Sequence, residues 1–498
     1  MSALRLRDDR LRDDHPGGSR TGRIRRFRRF RPVRLVRRFR PVRLVRPVRR
    51  PSRTRPSAHP LRTELLRGVG PWTGLATAVV IAVTLYSKAP GWQGRWVEAT
   101  DLLRVTALLL CGPLAVATGC WQGGRERRRR TGELLASLPR TQLRRSLHAV
   151  APAALWPPAG YLVGAAGCLL ATWPYTSGGH PFVSLIAADA VALASLGTIG
   201  YVVGRLVGWR LTAPLLAVVI YAGLATPTYG ESGARWLDPA IDHFYLWDRP
   251  VWWFGPASAL WTGGLAAAAL LAYAARHRVV ALLPLALAVA VAVPIARTGD
   301  DLWRPDPEAA RLVCDDGTPQ VCVTAIDRKL LPEVSAALTG LNAKLRGVPG
   351  APGRWIDGPR APGPGREQLT AAPGAVVRGQ DEPRELGRGE AQLPSPAGIA
   401  VRGRLPDPAL YATWAVGYFF SETCDPLDSE APGSERATAV NDAVQQWLAP
   451  RPDFDEFPWP AASSELKHLE AMDHDQGRAY LTRYLAADRC DPDEVPVP

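Results

Sequence analysis

Residues Gly123–Arg145 read GGRERRRRTGELLASLPRTQLRR, and eight of these 23 positions are arginine. The stretch lies between two apolar segments, Leu102–Trp121 and Val150–Trp173, each of a length that can cross a bilayer. Basic loops between membrane spans face the cytoplasm, so the stretch fixes a fold class and a sidedness together. Inside the loop, Thr131–Pro139 reads as a two-turn amphipathic helix. Thr131 can cap its start, Glu133 suits the positive end of the helix dipole, Leu134, Leu135 and Leu138 share one side, and Pro139 discourages continuation. The apolar side faces lipid or enters a groove on another protein.

Working outward, a span needs about 20 apolar residues. Seven segments qualify: Gly68–Ser87, Leu102–Trp121, Val150–Trp173, Phe182–Val203, Leu211–Pro227, Phe254–Ala275 and Val279–Ala296. With the N-terminus inside, the short inner loops carry twelve arginines and the short outer loops carry four basic residues (Lys88, Arg95, Arg235, Arg249). Trp72, Trp121, Trp173, Trp209 and Trp253 fall near the interfaces, as an aromatic belt requires. Seven is odd, so the segment after the last span is expected outside. The fold class read from the sequence is therefore a polytopic α-helical membrane protein of about seven transmembrane helices. A C-terminal, mainly helical extracytoplasmic domain with a small β-hairpin completes it. The expected organisation is a disordered Arg-rich cytoplasmic tail (1–60), a permease-like membrane domain (61–296) and a disulfide-containing outer domain (297–498).

The loop between the second and third spans resembles that of the membrane subunits of type-2 ATP-binding-cassette exporters, which carries a pattern like E-R-x-x-G-T-x-E-x-L-L-x-x-P. Glu126, Arg127, Thr131, Gly132, Glu133, Leu134, Leu135 and Pro139 follow in that order here, between the same two spans. Gly-Thr stands inverted as Thr131-Gly132, and the residue between that pair and the Glu is missing. The resemblance implies that the loop is a coupling helix in contact with an ATPase subunit. It also implies that ATP binds that partner and that a second permease subunit, identical or not, completes the pathway. The alternative reading of the loop is a plain basic anchor. No G-x-x-x-x-G-K-[ST] occurs in this chain, and no cofactor of its own is expected.

The net charge of +15 is uneven. Arg20–Arg55 holds seventeen arginines and no acidic residue, with tandem RLRDD and RFRPVRLVR repeats around it. Such composition cannot bury a core and is expected to be disordered. It reads as a solvated cytoplasmic tail or as a polybasic segment held against anionic lipid. Stacking aromatics are few, so no specific nucleic-acid partner is expected.

Charges inside spans are costly and are functional candidates by default. Asp189 lies in the fourth span about two turns from its outer end, and Arg104 begins the second. The readings left open are a functional acid, snorkelling or protonation, and an Arg104–Asp189 structural lock. Gly160-x-x-x-Gly164 and Gly200-x-x-x-Gly204 offer close helix contacts, chiefly for packing. The outer stretch Tyr229–Phe254, with its acids and aromatics, is expected to form an interfacial anchor or short re-entrant helix; a substrate lid is the other reading.

Cys314, Cys322, Cys424 and Cys490 all follow the last span. Four cysteines in an oxidising compartment suggest two disulfides, and a Cys314–Cys322 bridge across a hairpin at Arg311–Thr324 leaves Cys424–Cys490. Helices are expected at 327–345, 408–422, 435–448, 463–472 and 476–487, and an exposed loop at 347–366. HLEAMDHD (468–475) lacks the H-E-x-x-H spacing, and neither a metal site nor a nucleophile motif is expected. The function expected from these features is a membrane-spanning subunit of an ATP-driven exporter, not itself an enzyme. It would sit in the cell membrane with its N-terminus inside, coupled through residues 122–148 to a separate ATPase. The alternative is a membrane-anchored extracytoplasmic sensor or assembly factor without transport activity.

Overall fold

A computed structural model describes residues 65–66, 68–129, 141–227, 232–243, 246–357, 387, 389–420, 434–450, 463–488 and 491–498. The expected coupling helix at Thr131–Pro139, the expected tail at 1–60, and Cys424 and Cys490 lie outside these residues.

Among the described residues, six helices are long and apolar enough to cross a membrane: α1 (Gly70–Ser87), α2 (Trp96–Gly123), α3 (Gln142–Thr172), α4 (Val183–Leu206), α6 (Phe254–Ala274) and α7 (Arg278–Leu302). By length and composition the chain is a multi-pass membrane protein. The expected fifth span yields only α5, a 14-residue helix at Thr212–Ala225. At 1.5 Å per residue it is about 21 Å long, short of a hydrocarbon core of about 30 Å. The chain nevertheless passes from one end of the bundle to the other here. Ala213 lies in the cleft beside Cys120 and Arg127, Leu224 lies against Gly112, and Trp236 Nε1 donates to Asp300 Oδ1 at the far end, 2.9 Å away.

Local sequence explains the two unusual helices. In α2, residues Thr106–Cys111 form a wide π turn immediately before Gly112-Pro113. Pro113 has no N–H to donate to the preceding turn, and a wide turn absorbs the lost bond. The 31-residue α3 carries Pro152, Pro157 and Pro158, and its start is capped by Thr141, whose side chain accepts from the Arg144 N–H. Prolines of this kind are tolerated where neighbouring helices surround the freed carbonyls.

The bundle closes on glycine. Gly119 and Gly123 of α2 meet the backbone of Gly197 and Tyr201 on α4, while Gly200 and Gly204 of α4 meet the carbonyls of Val116 and Cys120 on α2. A side chain at any of the four would collide with backbone, so these two helices are in direct main-chain contact. Gly160 packs on the Gly74 carbonyl and Gly164 on Ile81, joining α3 to α1. Both G-x-x-x-G pairs therefore serve packing within this chain. Around the seams, Ile81, Leu103, Leu108, Tyr161 and Leu193 form the buried core. Leucines and valines on the outer faces of α1, α3, α5 and α7 stay exposed, as lipid contact requires.

Beyond the bundle, β1 (Asp248–Pro250) pairs antiparallel with β2 (Trp303–Pro305). A mixed sheet follows in the order β3 (Leu312–Cys314), β4 (Gln320–Thr324), β5 (Arg354–Asp357), β6 (Glu390–Leu393). The expected hairpin is β3–β4, with Cys314 opposite Cys322 and a disulfide between them. The sheet is larger than expected, because β5 and β6 add in parallel. Strand β5 falls within the expected exposed loop 347–366, and its Trp355 is fully buried. Six helices surround the sheet: α8 (Leu331–Ala337), α9 (Thr339–Leu345), α10 (Pro408–Phe420), α11 (Ser434–Leu448), α12 (Ser464–Ala471) and α13 (His474–Ala486). Val321, Val334, Leu338, Tyr411, Val444 and Leu481 share one core. The helix expected over 327–345 is broken into a 3-10 turn plus α8 and α9.

Candidate functional site

The bundle has two unlike ends, and Glu126, Arg127, Arg104 and Asp189 fall at or near one or the other, while Cys314 and Cys322 sit on the β3–β4 hairpin beyond the bundle. At the first end α2 runs into a short basic helix, Arg125–Arg129. Glu126 forms an ion pair with Arg205 of α4, and Arg205 Nε donates to Tyr273 Oη of α6 at 2.8 Å. Gln122 Nε2 donates to the Ala149 carbonyl of α3 at 2.7 Å, and Gln142 Nε2 reaches the Tyr273 carbonyl at 3.3 Å. The two stems of the basic loop are thus tied to α3, α4 and α6. Arg128 lies over the Trp121 ring, 4.1 Å from its centroid, and Arg127 is exposed. Of the expected loop residues, Glu126 and Arg127 are described; Thr131, Gly132, Glu133, Leu134, Leu135 and Pro139 lie outside the described residues.

Near the other end, Arg104 and Asp189 come together inside the bundle. Arg104 Nε lies 3.8 Å from Asp189 Oδ1 and donates to the Pro239 carbonyl at 2.7 Å; its guanidinium is 5.5 Å from the Phe254 ring. Tyr161 Oη donates to Asp189 Oδ2 at 3.1 Å. Both charged side chains are almost fully buried, at 3% and 1% exposure. Asp189 therefore does not snorkel to the headgroups. It is held by α2 and α3 at once, which is the lock among the readings left open. A buried charge with a partner and further hydrogen bonds avoids most of the cost that an isolated one would carry.

The stretch after α5, read from the sequence as an interfacial anchor, a short re-entrant helix or a lid, is described in part. Its described part is a 3-10 turn (Gly233–Leu237) and strand β1, packed inward. Trp236, Ile241 and His243 are buried, and His243 stacks on Trp303 at 4.1 Å between centroids. His243 Nε2 is 2.8 Å from Asp248 Oδ2, and the His243 N–H donates to Asp101 Oδ1 at 3.0 Å. Burial pushes the His243 imidazole below its ordinary value, although Asp248 works against this. Two acids of the stretch accept from inside the fold: Asp238 Oδ1 from the Ala240 N–H at 2.8 Å, and Asp248 from His243. Trp252 is the exposed ring of this stretch, at 84%, and Trp253 is half-buried.

Arg95, on the short connection between α1 and α2, is a residue the sequence did not single out. Its Nη2 meets Asp327 Oδ1 at 3.2 Å, its Nη1 meets Glu98 Oε2 at 3.2 Å, and Nη1 also donates to the Ala397 carbonyl at 3.2 Å. One guanidinium thus clasps the C-terminal domain to the bundle. Arg328 Nη2 to the Ser177 carbonyl (2.8 Å) and the Lys329 N–H to Ser177 Oγ (3.1 Å) add a second clasp on the α3–α4 connection. Behind Arg95, Asp357 accepts from the Thr324 N–H (3.2 Å) and hydroxyl (3.0 Å). Burial, reinforced by the nearby Asp327 charge, raises the Asp357 carboxyl well above the usual carboxylate range. An Arg on the arginine-poor side with Glu98 three residues on was the available signal.

All these contacts lie at the end where α1, α3 and α7 finish, opposite the basic loop. No group of His, Cys, Asp and Glu that could hold a metal occurs among the described residues. Comparison with protein-family models, with curated proteins and with solved structures gave no match.

Proposed function

We propose that this chain is the membrane-spanning subunit of an ATP-driven exporter, coupled through its 122–148 loop to a separate ATPase. The observation that carries the reading is the keyed stem of the basic loop. Glu126 engages Arg205 and through it Tyr273, so a load on the loop reaches α4 and α6 as well as the two helices it joins. Main-chain contact between α2 and α4 would make them move as one body. The excess of arginine on this loop supports a cytoplasmic position, with the N-terminus inside the cell membrane and the C-terminal domain outside. The Cys314–Cys322 bridge supports the same sidedness, since disulfides persist in oxidising compartments. In this reading ATP binds the partner, and a second permease subunit completes the pathway.

The C-terminal domain has its own core and is clasped to the bundle by Arg95, which favours a second reading as an envelope sensor or assembly factor. Purification of the native chain from its own membrane, with the associated proteins sequenced, separates the two. A P-loop ATPase that co-purifies, and that is lost when Leu134 and Leu135 are changed to Asp, is the expected result. Recovery without any ATPase overturns the exporter reading.

A further inference from the structure

The flank of the bundle between α1 and α3 opens at the capped end. The two helices touch where Gly74, Gly160 and Gly164 allow it. One turn further on there is open space: a Cβ at Gly167 would meet no atom within 4 Å. The result is a groove of about 490 Å³, lined by Val79, Leu85, Val163 and Cys168 and also by Trp92 and Arg402. That volume lies in the range of ligand sites, about 300–1,000 Å³. Its walls are apolar and its mouth carries one charge. Tyr86 and Trp173, both largely exposed, stand at the ends of the same two helices, which is the level of an aromatic belt.

The charge is built in by the C-terminal domain. Arg402 has a left-handed backbone, φ 53°, and sits in the tight turn closed by Val401 and Arg404. Gly403 beside it, also left-handed, lies against the Tyr175 carbonyl, which presses the turn onto the bundle. A non-glycine residue in this conformation is strained, and such strain gathers at functional sites. Arg402 Nε donates to Gln93 Oε1 at 2.8 Å, which orients the fork, and the residue is exposed where it lines the groove. No carboxylate pairs with Arg402 among the described residues.

From this geometry we infer that the α1–α3 groove binds one anionic phospholipid, an acyl chain between the helices and the phosphate on the Arg402 guanidinium. A planar guanidinium suits a phosphate's paired oxygens, and an uncompensated cation favours a lipid of net negative charge. The inference rests on the apolar helices lying in a bilayer and not on the ATPase reading; lipid retention by the purified chain needs no motor.

The test is native mass spectrometry of the full chain in detergent, supplied with phosphatidylglycerol or phosphatidylcholine. The expected result is one retained phosphatidylglycerol, in preference to phosphatidylcholine. Arg402→Gln should lower that preference about tenfold, the scale of a charge-assisted hydrogen bond. Gly167→Leu, whose Cβ meets no neighbour and whose side chain adds bulk at the groove, should lower retention of both lipids. Equal retention of the two lipids by the unaltered chain overturns the inference, as does a preference unchanged in Arg402→Gln. Phosphatidylglycerol retention unchanged in Gly167→Leu also overturns it. A chain that purifies as a dimer which Gly167→Leu dissociates shows a second copy in the groove, and overturns it too.

Discussion

The two ends of α2 both present arginine, and they use it in opposite ways. At the capped end Arg95 and Arg104 are buried, and each is surrounded by acceptors drawn from distant segments. At the basic end Arg127 is exposed and arginine greatly outnumbers acid; Glu126 is the acid that the described part of the loop supplies. The contrast teaches that arginine content alone says little. A buried arginine with several acceptors fixes architecture, whereas an exposed one such as Arg127 presents its charge to the surroundings.

The sharpest way to break the contrast is Arg104→Met. It strands the Asp189 charge inside the bundle, and loss of one partner of a buried pair costs about 3–5 kcal/mol. Thermal unfolding in detergent should show that loss, and Arg104→Met with Asp189→Leu should recover most of it. If the single variant unfolds as the parent does, the lock is not structural. Next in size is reduction of the Cys314–Cys322 bridge. Its loop is short, with a sequence separation of 8, so Cys314→Ser should lower the C-terminal domain's stability by about 2 kcal/mol in a denaturant titration.

Arg95→Ala should cost about 1.5–3 kcal/mol, the range for hydrogen bonds to charged groups. It should also speed protease cleavage between bundle and domain; unchanged cleavage would mean that the Ser177 contacts suffice. Glu126→Gln removes a partly exposed pair and should cost under about 1 kcal/mol of stability. On the proposed exporter reading its larger effect is on ATPase turnover, and equal turnover with any ATPase that co-purifies would remove Glu126 from the load path.

A pH titration sharpens the comparison at the clasp. The native Asp357 carboxyl is raised by burial first and by Asp327 second, so the folded chain holds its proton more tightly than the unfolded chain does. That contribution is present in full below about pH 4, near the unfolded value, and is lost as pH rises through the raised native one. Asp357→Asn should flatten that part of the stability profile; an unaltered slope would assign it to another group.

Six of the seven expected spans are long apolar helices, legible because about twenty consecutive apolar residues carry their own signal. The fifth was misjudged in length: Gly208-Trp209-Arg210 precedes it and Pro227 follows it, trimming the helix to Thr212–Ala225. The hairpin disulfide was legible from a short Cys spacing. Strands β5 and β6 were not, because four residues flanked by glycine and proline carry no periodicity, and their pairing is set by a sheet assembled from distant parts. The Arg104–Asp189 pair could be guessed, since charges within spans are few and each needs a partner. Arg95 and Asp327 could not be matched, being 232 residues apart and joined only by tertiary contact.

The wide turn at Thr106–Cys111 also governs phase. A π turn holds one residue more than the ideal path needs, and one residue is about 100° of rotation about the axis. Everything downstream in α2 is therefore dialled round relative to Arg104. Shortening the turn by a single residue would swing Gly119 and Gly123 off the seam with α4 while leaving the ion pair aimed correctly. The bulge is the gearing that lets one helix keep two appointments on different azimuths.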